Sequence, residues 1–547
     1  MRILKRLAAL LAAFAVLLCA LTGVGYLMTP PWKVEPYHGH LRPATADTAI
    51  VSKLGPTVPQ GSYRVKESGI KVRLSPDVSV HAIVREPVDA PTGRPACLFI
   101  HGAGTGSAAN VYGDLAQALA SAGITTLVPD KRLDTYTTFH RDYAAMADDY
   151  GKSLKILRSW PGVDPAKTGL YAESEGSWVS SVMTGRDPSL AFSILTSPPV
   201  YPGRDQMAMA ASTYLYSIGA PDGIRSDVTK LLGMDFAPLG LEYADFDALA
   251  QWNRLIQPTL INFGVDDPSM PIEQGAQEVM DRARAAGNRN VTVRYYPTNH
   301  QMRVGSRLAK AGLPLEPHYT RNLEDWINAV AAGTKTGDWS TPQVAGSRPD
   351  QLYAAPNATS PGLVSSLGVL IGLLAAGPAL LLLAALGALV LLLARTTRRH
   401  RQRNRDKDPR FASGVSPCLW AGAVGGLLLL GGTLGYVTVV VVHALGLNPL
   451  SRVQNSLWIA LKVLALLLTL VCAIMPGHVL LARLSRHSSR SDAILAGAGH
   501  VRPQSASPLD PEPILARGWG HWLVLILAWA GTLACLLSLA FWGLFSL

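Results

Sequence analysis

The sequence predicts an α/β domain, with a mostly parallel sheet carrying helices on both faces and a helical insertion, joined to an α-helical transmembrane bundle. Three observations lead there. At 547 residues, 48% hydrophobic and 16% charged, the chain is too apolar for a purely soluble protein. Its apolar excess is gathered into five long runs, and a stretch of mixed composition lies between the first two. Within that stretch, short β-rich apolar segments alternate with helical patterns, the order expected of parallel strands covered on both sides.

The apolar runs are residues 7–28, 363–394, 418–445, 457–482 and 522–546, with Lys462 the one charged residue among them. Each is long enough to cross about 30 Å of hydrocarbon as a helix. The first reads as an uncleaved anchor within residues 1–29, or as a signal peptide. Its basic start suits either, but it is longer than a usual signal core and "LTGVGYLMTPPW" offers no A-x-A site.

Charge separates the two parts. Residues 30–362 hold 31 Lys+Arg against 33 Asp+Glu, whereas the remainder holds 18 against 5. The net charge of +11 therefore belongs to the membrane part. It lies in Arg2, Lys5 and Arg6, in "RTTRRHRQRNRDKDPR" (395–410) and between Arg483 and Arg517. These places share one side if all five runs span, and basic loops mark the cytoplasmic side. The expected localisation is the cell membrane, multi-pass, with residues 30–332 extracytoplasmic. Basicity of this kind is a topology signal, and nucleic acid is not an expected partner. Only Cys97 of the five cysteines lies outside the apolar runs, so no disulfide framework is available to the soluble part.

In the soluble part, 62–68, 70–75 and 78–84 read as leading strands. The apolar strand "ACLFI" (96–100) runs into "HGAGTGS" (101–107). Helix patterns at about 109–122 and 140–160 alternate with the strands "ITTLVPD" (124–130) and "TGLYAE" (168–173). A helix from 176 follows, then strands at 191–197, 258–264 and 291–297, with a polar helical insertion at about 201–253. Residues 333–362, rich in Gly, Pro, Ser and Thr, read as a linker to the membrane domain at 363–547.

Ser174 in "GLYAESEGSW" falls where a strand turns into a helix. Gly176 supplies one small position of G-x-S-x-G, and Ala172 replaces glycine at the other. A serine before a helix is commonly an N-cap, so the surroundings decide. "HGAGTGS" offers backbone N–H groups to an oxyanion, with Ala103 N–H as first donor and Glu175 N–H as second. "FGVDDPSMP" (263–271) places Asp267 three residues after Gly264, with Asp266 a competitor that the spacing disfavours. "YYPTNHQM" (295–302) puts His300 just past the last of these strands. The order Ser, Asp, His suits a triad presented from the carboxyl ends of one sheet.

Over about residues 60–332 these elements resemble the α/β-hydrolase superfamily, most closely bacterial serine esterases and acyl-peptidase-like hydrolases with an S-E-G elbow. Shared features are "VPDKR" (128–132), a long helix, the "VDP" turn (163–165) and the elbow strand. The usual glycines after D-K-R are missing from "DKRLDTYT". The resemblance implies a serine hydrolase acting on carboxylic esters through an acyl-enzyme, with no cofactor or metal. It also implies that the 201–253 insertion is a cap. Expected partners are a small-molecule or lipid ester and the bilayer. Alternatives are an acyltransferase or peptidase using the same triad, or an idle hydrolase-like module that binds ligand.

Other features read more simply. His101 is expected to be a structural loop residue. Glu173 and Glu175 flank the nucleophile and are expected to contact loops or solvent. "HGH" (38–40) carries metal-ligand residue types without further partners nearby. Met207, Met209, Tyr214 and Tyr216 suit packing of the insertion or an acyl pocket.

The charge asymmetry predicts that protease added outside spheroplasts digests residues 30–362 and leaves 395–410 protected. Digestion of that loop with protection of the soluble part would reverse the topology.

Overall fold

The computed structural model describes residues 2–29, 32–54, 58–234, 236, 240–356, 364, 366–399, 410–495 and 515–545. It divides into two compact units. One comprises Trp32–Tyr216 and Asp235–Thr359; the other comprises Met1–Pro31, Ser217–Met234 and Ser360–Leu547.

Among the described residues, the first unit is built on nine strands: β1 (Val65–Arg73), β2 (Ser79–Pro87), β3 (Arg94–Ile100), β4 (Thr125–Pro129), β5 (Val163–Glu173), β6 (Ser193–Thr196), β7 (Thr259–Gly264), β8 (Val291–Tyr296) and β9 (Val344–Gly346). Their order is β1-β2-β4-β3-β5-β6-β7-β8-β9, antiparallel at β1/β2 and β2/β4 and parallel from β4 onward. The leading segments 62–68 and 70–75 merge into β1, because Gly69 stays in register opposite Ile83. Lys66, Lys71 and Arg73 on this edge strand discourage pairing with another chain.

Both faces of the sheet are covered. In β3, Ala96, Leu98 and Ile100 enter one core while Cys97 and Phe99 enter the other, the period of two expected of a strand. The helix α1 (Arg2–Met28) belongs to the other unit. On one sheet face lies α2 (Gly113–Ser121); on the opposite face lie α3 (Tyr143–Arg158) and α4 (Gly176–Arg186). The insertion contributes α5 (Gly203–Ser217), α6 (Asp222–Leu232) and α7 (Ala248–Trp252). α8 (Gln274–Ala285) joins the α3 face through Val279 and Met280, and α9 (Tyr319–Ala331) joins α2 through Leu323, Trp326 and Ile327. Each such fully buried apolar side chain stabilises the fold by about 1.5–3 kcal/mol.

The expected linker at 333–362 needs correction in its first part. Val344–Gly346 adds to the sheet beside β8, and Trp339 Nε1 donates to Asn290 Oδ1 at 2.7 Å. The Arg294 guanidinium, buried, donates to the carbonyls of Thr48, Pro342 and Gln343. Backbone pairing and one buried arginine hold this stretch, so no apolar periodicity marks it. Residues 357–363 of the same stretch lie outside the described residues.

The second unit contains α1, α10 (Leu367–Arg399), α11 (Val415–Leu445), α12 (Arg452–Leu495) and α13 (Trp519–Phe541). Among the described residues, five helical segments are long and apolar enough to cross a membrane: Arg6–Met28, Leu367–Thr396, Val415–Leu445, Arg452–Leu481 and Trp519–Phe541. Close approach of α10 and α13 requires glycine. A Cβ on Gly377 would lie 2.8 Å from Cys535 Sγ, and one on Gly531 2.8 Å from Leu381 Cγ. The basic residues at 400–409 and 496–514 lie outside the described residues.

The insertion is divided between the units. Its Ser217–Met234 portion belongs with the apolar helices, where Leu450 N donates to Ile218 O at 2.9 Å and Asn455 Nδ2 to Gly219 O at 3.1 Å. Asp227 of α6 is buried there, and burial pushes its carboxyl up to about 7 against the pull of Lys230 and Lys462.

Candidate active site

Strand β5 runs directly into Ser174, whose φ of 53° is in the left-handed region. An L-residue there is strained by roughly 1–2 kcal/mol. Two backbone bonds hold the turn: Ser174 N donates to Thr196 O and Ser177 N donates to Ser174 O, both at 2.8 Å. The beginning of α4 crosses the end of β3 so closely that a Cβ on Gly176 would lie 2.6 Å from Ile100 O. At the other small position, Ala172 pairs with Ile100 and Leu195 and is fully buried, so alanine fits. Ser174 Oγ has no hydrogen-bond partner among the described residues; it neither caps α4 nor bonds an imidazole.

The loops after β7 and β8 are stitched together. Val265 N donates to Tyr296 O at 2.8 Å, and Asp266 N to Thr298 O at 3.0 Å. This brings Asp267 Oδ2 to 2.6 Å from His300 Nδ1. Since a carboxylate only accepts, Nδ1 carries the proton and Nε2 is left as the basic nitrogen. The other oxygen, Asp267 Oδ1, accepts from Ser269 N at 2.9 Å and Ser269 Oγ at 2.5 Å. Asp267 is buried, whereas Asp266 is exposed. The end of β6 serves both loops: Thr196 O holds the Ser174 turn, and Ser197 Oγ donates to His300 O at 2.8 Å.

Burial disfavours the His300 imidazolium, but the Asp267 charge and hydrogen bond outweigh it and raise the pKa above 6.5. For Asp267, burial favours the acid form, while His300 and the two Ser269 bonds hold the carboxyl below its ordinary range.

The loop after β3 lies against the same turn. A Cβ on Gly102 would come 3.2 Å from Ser174 Cβ, and Ala103 beyond it is exposed. Neither the Ala103 nor the Glu175 N–H has an acceptor among the described residues. Lys131 Nζ anchors the loop by donating to Gly102 O at 2.5 Å.

Glu175 does contact loops, through a network that its sequence neighbours do not reveal. Its buried carboxylate accepts from Tyr136 Oη at 2.7 Å, Arg141 Nη1 at 2.5 Å, Tyr143 Oη at 3.0 Å and Lys131 Nζ at 3.4 Å. Burial lowers the Lys131 pKa, with the Glu175 charge opposing. The glycine-free loop after D-K-R is therefore shaped by hydrogen bonds to one buried charge. Four partners scattered over residues 131–143 form no motif; "DKR" was the available signal.

His101 is buried, its Nε2 2.9 Å from Pro129 O, and burial lowers its pKa to about 4. Neutral, it donates to that carbonyl, as a structural residue would. His40 Nδ1 lies 3.0 Å from Glu273 Oε2, while Glu273 Oε1 accepts from Leu41 N at 2.7 Å. In the insertion, Met209 is fully buried and Gln206 Nε2 donates to Ser269 O at 2.7 Å, tying α5 to the Asp267 loop.

No family model matches the chain, and no curated protein matches it. Among solved structures, it is similar to a cold-adapted esterase from an Arctic intertidal metagenomic library at 15% identity and TM-score 0.31, over 48% of this chain and 93% of that one. An esterase from Pyrococcus furiosus is similar at 15% identity and TM-score 0.32, over 49% and 91%. One of two fungal esterases from Rhizomucor miehei is similar at 14% identity and TM-score 0.37, over 50% and 86%. All three likenesses are weak.

With an activated ester as probe, Asp267→Asn is expected to lower kcat/KM by about 10⁴-fold. Asp266→Asn should stay within about threefold, as expected for an exposed side chain. The acidic limb of kcat/KM should lie above 6.5 and move to lower pH in Asp267→Asn, because the charge that raises the His300 pKa is gone. Impairment confined to Asp266→Asn would assign the acid to the wrong residue.

Proposed function

We propose that the chain is a membrane-anchored serine hydrolase that cleaves carboxylic esters, with its α/β domain on the extracytoplasmic side. One observation carries the reading: an L-serine held at φ 53° between β5 and α4, beside loops that join His300 to Asp267 at 2.6 Å. Backbone strain of this kind persists where the surroundings enforce it, and here they leave the hydroxyl unbonded.

In the proposed reaction, His300 Nε2 removes the Ser174 proton as Oγ attacks the ester carbonyl carbon. The carbonyl oxygen becomes an oxyanion and accepts from the N–H groups of Ala103 and Glu175. A single donor of this type can be worth about 2.7–4 kcal/mol in the transition state. Collapse of the adduct breaks the bond to the alcohol oxygen, which takes the proton from His300. Water then attacks the acyl-enzyme, giving its proton to His300; Ser174 recovers that proton as the carboxylic acid leaves. Asp267 holds the imidazole tautomer and stabilises the imidazolium between proton transfers.

Glu175 supports this chemistry from behind. By engaging Lys131, it ties the 131–143 segment to the elbow, and Lys131 in turn fixes the Gly102 carbonyl. The two N–H groups are thereby held by a common framework, as preorganised stabilisation requires.

The direct test is Ser174→Ala, which removes little packing at a half-buried position. Turnover of p-nitrophenyl butyrate should fall by on the order of 10⁶-fold, with an unchanged thermal melt. Turnover within tenfold of the native chain would move the nucleophile elsewhere.

A further inference from the structure

Glu173, the residue before Ser174, is 6% exposed. Among the described residues its carboxylate has one hydrogen-bonding neighbour, the Tyr171 hydroxyl, in contrast to the four donors on Glu175. A buried carboxyl with so few donors is costly, and such groups ordinarily find more. Glu173 instead lines a cavity of about 390 Å³. Burial pushes its carboxyl up to about 7, against the pull of His300 and Arg303.

The cavity adjoins the proposed reaction centre. Glu173 precedes the serine, Gln301 follows His300, and Thr105 lies two residues beyond Ala103; all three line the wall. Asn110, Asp114, Arg303 and Lys310 also line it. Arg303 is already engaged, donating to Asp114 Oδ2 at 2.9 Å and Leu313 O at 2.8 Å. His300 Nδ1 is committed to Asp267. Neither cation therefore satisfies Glu173.

We propose that this cavity receives a hydroxyl-rich alcohol portion of the ester, with Glu173 bonded to one of its hydroxyls. An apolar alcohol would give no hydrogen bond to the carboxyl or to the Asn110 and Gln301 side chains. Arg303 and Lys310 disfavour an ammonium group in the same space. The volume falls within the range of about 300–1,000 Å³ common for small-molecule sites, enough for a polyol. This specificity rests on the serine-hydrolase reading; binding of the polyol does not.

The test uses the full chain in detergent micelles. Compare kcat/KM for 1-butyrylglycerol, ethyl butyrate and butyrylcholine, and measure binding of the non-hydrolysable ether 1-O-butylglycerol by calorimetry. The native chain should prefer the glycerol ester to ethyl butyrate by at least about tenfold, a difference one well-placed hydrogen bond can supply. Glu173→Leu should erase that preference and weaken ether binding about tenfold, and Glu173→Gln should retain part of both. Asn110→Ala, at an exposed loop position, provides a second variant should Glu173→Leu fail to fold; it should weaken ether binding about threefold. A native preference near unity, or ether binding unchanged in Glu173→Leu and Asn110→Ala, overturns the proposal. A preference for butyrylcholine that disappears in Glu173→Leu overturns the polyol assignment in favour of an ammonium. Ether binding that depends on Glu173, without turnover of any ester, supports the cavity while defeating the hydrolase reading.

Discussion

The Ser174 turn is the constraint around which the site is arranged. Its positive φ is unfavourable for an L-residue, so neighbouring elements must hold it. Thr196 O takes its N–H, and Gly176 allows α4 to begin against the Ile100 carbonyl. Both contacts require β3, β5 and β6 to lie side by side and parallel, with their carboxyl ends at one edge. The parallel sheet thus places the serine, and continuation through β7 and β8 brings the Asp267 and His300 loops to the same edge.

Two glutamates flank that serine in opposite electrostatic settings. Glu175 is buried among two cations and two tyrosines, which organise the loop that had lost its glycines. Removing one partner from such a buried pair can destabilise by about 3–5 kcal/mol, because the remaining charge is stranded. Glu173 is nearly as buried but faces a polar cavity with only the Tyr171 hydroxyl beside it. One side chain supports the framework; the other is available to a ligand.

Much of the architecture was legible because its strands are short apolar runs with consistent spacing, such as "ACLFI" and "PTLINFG". The Ser174 turn and the meeting of Asp267 with His300 were visible from small residues and chain order. What remained hidden depends on contacts without periodicity. β9 is three residues held by backbone pairing, while Arg294 secures the segment beside it. Lys131, Tyr136, Arg141 and Tyr143 converge only after α3 is folded against the elbow. Likewise, the grouping of Ser217–Met234 with apolar helices rests on partners such as Leu450 and Asn455, more than two hundred residues away.

The central claim, that Ser174 is the reactive nucleophile, is tested most directly by locating a covalent adduct. After reaction with a fluorophosphonate and digestion with trypsin, the peptide from Thr168 to Arg186 should carry one phosphonyl group. Fragmentation should assign it to Ser174 and leave Ser177, Ser180 and Ser181 unmodified. An adduct on another residue, with Ser174 unmodified, would contradict the assignment.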